Sequence, residues 1–191
     1  MIRPKGKIPS KASDIVELFK KHSITSIVRR LNWNPEEFLK TFSIKRSELF
    51  ELGYGPIFFE LESGDVIGVA NVPKWNSIVL WLEDNSSDYF VKKERGDIND
   101  ILFMDSSDKE FSSGKWSENI GHKATKISLI KLKKHKHSQM LDEVGLILEI
   151  EEGIKMLLSQ KLCSNSFGHF ILTEEDKISS NLANELEFIE L

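Results

Sequence analysis

Two stretches of this chain carry the same alternation of apolar and acidic positions. Phe59-Glu60-Leu61-Glu62-Ser63-Gly64 returns as Leu148-Glu149-Ile150-Glu151-Glu152-Gly153, and Asn76-Ser77 returns as Asn165-Ser166, both 89 residues further on with no gap between them. Alternation with a period of two is the mark of a strand with one buried face, and a glycine between two such runs marks a tight turn. Each copy therefore predicts a three-stranded antiparallel meander. The first uses 57–62, 66–69 and 77–83; the second uses 143–150, 154–160 and 167–172.

Ahead of the first meander the period changes. Ser13 is expected to cap a helix with Ile15, Val16, Leu18 and Phe19 on one face, and Ile24, Ile27, Val28 and Leu31 predict a second short helix. A third, over 35–42, has the fullest start signal. Asn34 can cap it, Pro35 takes its first position, Glu37 completes a capping box and Trp33 can staple onto Phe38. A fourth segment with Ile44, Leu49 and Phe50 runs into Gly53-Tyr54-Gly55-Pro56, which stops any helix. Elsewhere the pattern predicts strands at 89–93 and 126–132, a short helix near 98–103, a helical turn opening at Thr173-Glu174-Glu175-Asp176, and a final strand through Leu186, Phe188 and Leu191. The expected fold class is thus α+β: a flexible arm over 1–12, a helical segment over 13–52, and an antiparallel β body of two related meanders over 53–191, interrupted by an acidic loop at 94–123.

Composition adds class rather than detail. At 191 residues, 40% hydrophobic and 29% charged, the chain can bury a core without disulfides or metal. One cysteine, Cys163, allows no internal disulfide, and no apolar run reads as a leader or a membrane span, so a cytoplasmic location is expected. Charge is unevenly placed. Residues 1–50 hold eleven Lys/Arg against five Asp/Glu (+6), and residues 51–191 hold fifteen against twenty-five (−10). A basic helical head on an acidic β body can meet partners of opposite sign, or the two can neutralise each other.

Candidate chemistry is sparse. Glu60 and Glu62 match Glu149 and Glu151, and two such carboxylate pairs facing each other would make an acid/base site; exposed acids beside a glycine turn are the plainer account. His135 and His137 could share a metal with His122 or His169, but Lys133, Lys134 and Lys136 would repel the cation. Cys163 and His169 match no nucleophile signature, and the common phosphate, zinc and acyl-transfer motifs are missing from the sequence. No cofactor, metal site or catalytic residue is assigned. The three short helices, with Arg29, Arg30, Lys40, Lys45 and Arg46 among them, are spaced like a helix-turn-helix and give the alternative reading, a DNA-binding regulator whose β body senses a ligand or pairs subunits. The helix that would read bases opens with Glu36 and Glu37, which disfavours nucleic acid.

The leading reading rests on the acids. Asp97, Asp100, Asp105, Asp108 and Glu110 face one lysine between 97 and 110, and a carboxylate surface of this kind can engage the basic cleft of a nuclease. The stretch FELESGDVIGVANVPKWNSIVLWLE and its echo EVGLILEIEEGIKMLLSQ resemble segments of small bacterial immunity proteins from polymorphic-toxin and contact-dependent growth inhibition systems. That resemblance implies a non-catalytic protein that binds one cognate toxin domain and occludes its active site. The partner surface expected here is Asp97, Asp100, Asp105, Asp108 and Glu110, the partner a basic toxin domain, and neither a membrane nor a cofactor is involved.

Overall fold

The structure is a computed structural model in which residues 6–84, 102–133, 141–160, 162 and 170–191 are described. The described residues form ten strands in two antiparallel five-stranded sheets. The first contains β1 (Ile24–Leu31), β2 (Ile57–Leu61), β3 (Val66–Val72), β4 (Ser77–Leu82) and β5 (Leu102–Asp105) in the order β4-β3-β2-β1-β5. The second contains β6 (Ala124–Leu132), β7 (Glu143–Ile150), β8 (Met156–Gln160), β9 (Phe170–Thr173) and β10 (Leu186–Glu190) in the order β10-β6-β7-β8-β9. Read from the other edge, the second order is the first over again. The α+β class and the antiparallel β body are thus as expected, and the repeat extends beyond two meanders to two whole sheets.

The ladders fix the equivalence strand by strand. Ile57 pairs with Val69 in one sheet and Leu146 with Leu158 in the other, so both strands of that pair are related by 89 residues (146 − 57 and 158 − 69). The third meander strand departs from that offset. Gly68 faces Trp81 while Leu157 faces Thr173, which makes the β4-to-β9 offset 92 (173 − 81). The ungapped match therefore ends before the third strand.

The region 24–31, expected as a helix, is strand β1, and the 13–52 segment is not helical throughout. Its pairing with β2 skips Thr25: Ile24 faces Leu61 and Ser26 faces Glu60. A bulge of this kind shifts the side-chain parity by one, so Ile24 and Ile27 reach the same face three residues apart. Apolar residues at 24, 27, 28 and 31 therefore imitate helical spacing while occupying both faces of a bulged strand. β6 repeats the device 100 residues later, where Ala124 faces Ile150 and Lys126 faces Glu149 across the skipped Thr125. A run rich in Ile, Thr and Val favours the extended form in both places.

The sheets share one core. Ile27, Ile57, Phe59, Ile67 and Leu80 from the first sheet cluster with Ile127, Leu146, Leu148, Met156 and Leu172 from the second. Helix α1 (Ser13–Lys21) adds Ile15, Val16 and Phe19, whose ring meets Phe59 edge-on at 5.2 Å. Its start is capped by backbone rather than by Ser13, because a 3-10 turn over Pro9–Lys11 leads into it and the Ala12 carbonyl accepts from Ile15 and Val16. Residues 6–12 of the expected arm are docked. Lys7 bridges Leu80, and Ser10 donates its amide and hydroxyl to the buried Glu143 carboxylate at 3.0 and 2.5 Å.

Between β1 and β2 the first copy carries helix α2 (Pro35–Phe42), a 3-10 turn (Arg46–Glu48) and helix α3 (Leu49–Leu52). The start of α2 is as the sequence predicts, with Asn34 accepting from the Glu36 and Glu37 amides and Trp33 edge-on to Phe38 at 5.8 Å. Glu37 does differ from the expected capping box, since its carboxylate takes the Trp33 indole N–H at 3.3 Å. Of the remaining expectations, Leu186–Glu190 is a strand, Glu175–Lys177 is a 3-10 turn, and the expected helix near 98–103 gives way to β5 from Leu102 on. The expected strand at 89–93 lies outside the described residues, as do 98–101.

Candidate functional site

The described part of the acidic loop, 102–123, holds β5 and its connection to β6, and is tied down by its own carboxylates. Asp105 ends β5 opposite Val28. Its Oδ1 accepts from the Ser107 amide (2.8 Å) and hydroxyl (2.6 Å), and its Oδ2 from the Ser26 hydroxyl on β1 (3.1 Å). Asp108 accepts from the Glu110 amide at 3.0 Å, so both aspartates form the local side-chain turns typical of this residue. Glu110 is paired with Arg46 at 3.0 Å, and that guanidinium also holds Glu36 and lies over the Phe111 ring. Asp97 and Asp100 lie outside the described residues. The structure thus brings Asp105, Asp108 and Glu110 into one short stretch, each with at least one oxygen already engaged.

The loop continues into the second sheet. Glu51 of α3 collects three donors from it, the Ser113 amide and hydroxyl and the Trp116 indole N–H. Lys115 then reaches Glu174 at 2.6 Å, and the Asn119 side-chain oxygen accepts from the Ile154 amide at 2.7 Å. Here the loop meets the β7–β8 turn and the segment after β9. Ile154, Lys155, Glu174, Glu175 and Asp176 line a shallow depression of about 250 Å³. Lys155 stands between Glu175 (3.4 Å) and Glu149 (3.5 Å), and chiefly the charge of Glu175 raises its pKa. The hydrogen bond to Asp176 does the same for Lys177. The depression is thus lined by three acids, Glu174, Glu175 and Asp176, against one base, Lys155. Sequence reading missed this second acidic segment because its parts are distant along the chain. One signal was available, since the turn that reads Glu62-Ser63-Gly64 in the first copy reads Glu151-Glu152-Gly153 in the second.

The other candidates fare differently. Ile57, Phe59 and Leu61 point into the shared core, so Glu60 lies on the opposite face of its sheet; Leu146, Leu148 and Ile150 place Glu149 likewise. The two matched carboxylates therefore point away from one another, and no facing pair forms between them. Among the described residues no three His, Cys, Asp or Glu side chains converge as metal ligands; His135, His137, Cys163 and His169 lie outside them. No described helix is long and apolar enough to cross a membrane.

Of the basic residues named with the expected helical trio, Arg29 and Arg46 are engaged within the protein. The middle member of the expected trio is β1, and Arg29 on it is fully buried. With Ile27 and Leu31 it faces the space between the sheets, where Nη1 donates to the carbonyls of Gly53, Gly55 (3.2 Å) and Phe170 (3.1 Å) and Nη2 to that of Glu51 (3.4 Å). Burial pulls its pKa down to about 9 against the charge of Glu51, which leaves it protonated at neutral pH. Arg29 is a strut joining β1, α3 and β9. Arg46 is committed to Glu36 and Glu110.

No protein-family model, no curated protein and no solved structure matches the chain.

Proposed function

We propose that this protein is a non-catalytic binding protein of the immunity type, which neutralises a bacterial toxin domain with a basic active-site cleft, such as a nuclease, by covering it in the cytoplasm. The observation that supports this reading is the acidic rim. Asp105, Asp108 and Glu110 are held by the fold before any partner arrives, and the loop that carries them runs directly to Glu174, Glu175 and Asp176. Carboxylates fixed in advance lose little side-chain entropy on binding, and their summed field speeds the encounter with a basic surface. Asp97 and Asp100 belong to the same proposed surface.

The test takes as partner a toxin domain encoded directly beside this chain, where an immunity gene is expected to lie; the lack of any such gene would itself count against the proposal. Glu110→Gln, Glu174→Gln, Glu175→Gln and Asp176→Asn combined should lower the association rate about tenfold at 50 mM salt, change the dissociation rate little, and differ less from the parent at 500 mM. Asp105 and Asp108 are left intact in this variant because their loss would loosen the loop itself. An unchanged association rate at low salt would remove the rim from the proposal.

A further inference from the structure

We propose that β10 is a docking edge that accepts an extended, basic strand of the protein partner, extending the second sheet by one strand. This deepens the immunity reading and rests on its basic partner. The argument starts from the two copies. Val28 pairs with Asp105, and Ser128, its equivalent 100 residues on, pairs with Glu190; β5 and β10 are thus related by 85 residues, and Phe103 corresponds to Phe188. Phe103 is half-buried and packs on the outer-face cluster of that sheet, to which Val28 of the neighbouring β1 belongs. Phe188 is 50% exposed, the most exposed of the large apolar side chains among the described residues. The same position is thus more open in the second sheet than in the first.

The backbone at this position is also oriented outward. Lys133 donates to the Glu185 carbonyl and Leu191 donates to that of Ile127, so the odd-numbered residues of β10 bond to β6. Leu186, Phe188 and Glu190 therefore direct their N–H and C=O groups to the side where no described strand pairs. The charge selects the occupant. Glu185, Glu187 and Glu190 lie along the strand, and residues 185–191 hold no Lys or Arg, though Lys126 on β6 reaches Glu190 at 3.4 Å. A second copy of this chain would bring the same acids against themselves, whereas a partner strand with lysines or arginines would pair with them and set an apolar residue on Phe188.

The probe is an acetylated, amidated seven-residue peptide alternating lysine and valine, added to the full chain at 50 mM salt. Amide exchange at Phe188 and Glu190 is expected to slow at least tenfold at saturation. Phe188→Ser, an exposed and foldable change, should weaken binding about tenfold, and Glu187→Lys with Glu190→Lys should abolish it. The same peptide with N-methyl valines should not bind, because a strand pairs through its amides. Three results would overturn the proposal: no binding, protection that maps to the Lys155–Asp176 depression instead, or equal binding of the N-methylated peptide. A toxin domain that binds the Phe188→Ser variant as tightly as the parent would remove the edge while leaving the immunity reading in place.

Discussion

The two sheets share strand order, ladder pattern and a bulge at Thr25 or Thr125, yet they fill equivalent positions with different chemistry. Arg29, buried and bonded to four carbonyls, corresponds to Leu129 at the offset of 100, which is 1% exposed and shares the strand face of Ile127. The sheet itself therefore does not need a charge there. What distinguishes the first copy is the 25-residue connection 32–56 between β1 and β2, against ten residues, 133–142, between β6 and β7. A short helix ending inside the protein leaves carbonyls without partners, and Arg29 supplies donors to those of Glu51, Gly53 and Gly55. The buried arginine follows from the insertion.

Exchanging the two residues tests that assignment with the largest effects expected in the molecule. Leu129→Arg places a guanidinium where no helix end awaits it, and should cost about 4–5 kcal/mol or prevent folding. Arg29→Leu matches the second copy in shape but strands the carbonyls of Gly53, Gly55 and Phe170, for a loss of about 2–4 kcal/mol by urea denaturation. If Arg29→Leu were neutral or stabilising, the strut would contribute nothing, and α3 would have to satisfy its end through water.

A second contrast lies on the outer faces. Gly68 faces Trp81 in the first sheet, and its equivalent Leu157 faces Thr173 in the second, so a small–large pair has become a large–small one. A Cβ on Gly68 would stand 2.2 Å from the Trp81 ring, which also meets Phe58 edge-on and donates its N–H to Glu83 at 2.7 Å. Gly68→Ala should displace the indole and cost about 1–3 kcal/mol. Gly68→Leu combined with Trp81→Thr copies the second sheet and should recover most of that loss. A double-mutant cycle with no coupling between the two positions would break the equivalence.

These contrasts also explain what the sequence could tell. The strands β2, β3 and β8 were legible because their alternation meets no bulge, β7 because its bulge at Val144 falls ahead of the alternating run 146–150, and the α2 start because Asn34 and Pro35 act locally. β1 was not, since one skipped residue converts a period of two into an apparent helical spacing. Comparing Ile24-Thr25-Ser26-Ile27 with Ala124-Thr125-Lys126-Ile127 would have exposed it. Of the candidate site, Asp105, Asp108 and Glu110 were found by composition alone; the local turn of Asp105 with Ser107 needs no sheet, but the engagement with Ser26 and Arg46 depends on approaches that only the fold creates. The acidic rim at Glu174–Asp176 was hidden for the same reason, and Phe188 drew notice only as part of a tail.

The smallest contrast is in the two glycine turns, which match in sequence and differ in conformation. Gly64 has φ +87° with open space at its Cβ position, so it is glycine for its backbone. In the second turn the left-handed residue is Glu152, at φ 54°, and Gly153 is instead crowded, its Cβ position hard against the Asn119 oxygen that accepts from Ile154 and 2.9 Å from the Ile150 side chain. Alanine at either glycine should cost about 1 kcal/mol, but for separate reasons. Asn119→Ala should relieve part of the crowding of Gly153→Ala, the Ile150 side chain remaining, and leave the loss at Gly64→Ala untouched, as measured by denaturant midpoints of the double variants. If Asn119→Ala relieved both or neither, the two glycines would be serving one purpose after all, and the loop that carries Asn119 would not be what distinguishes the second turn from the first.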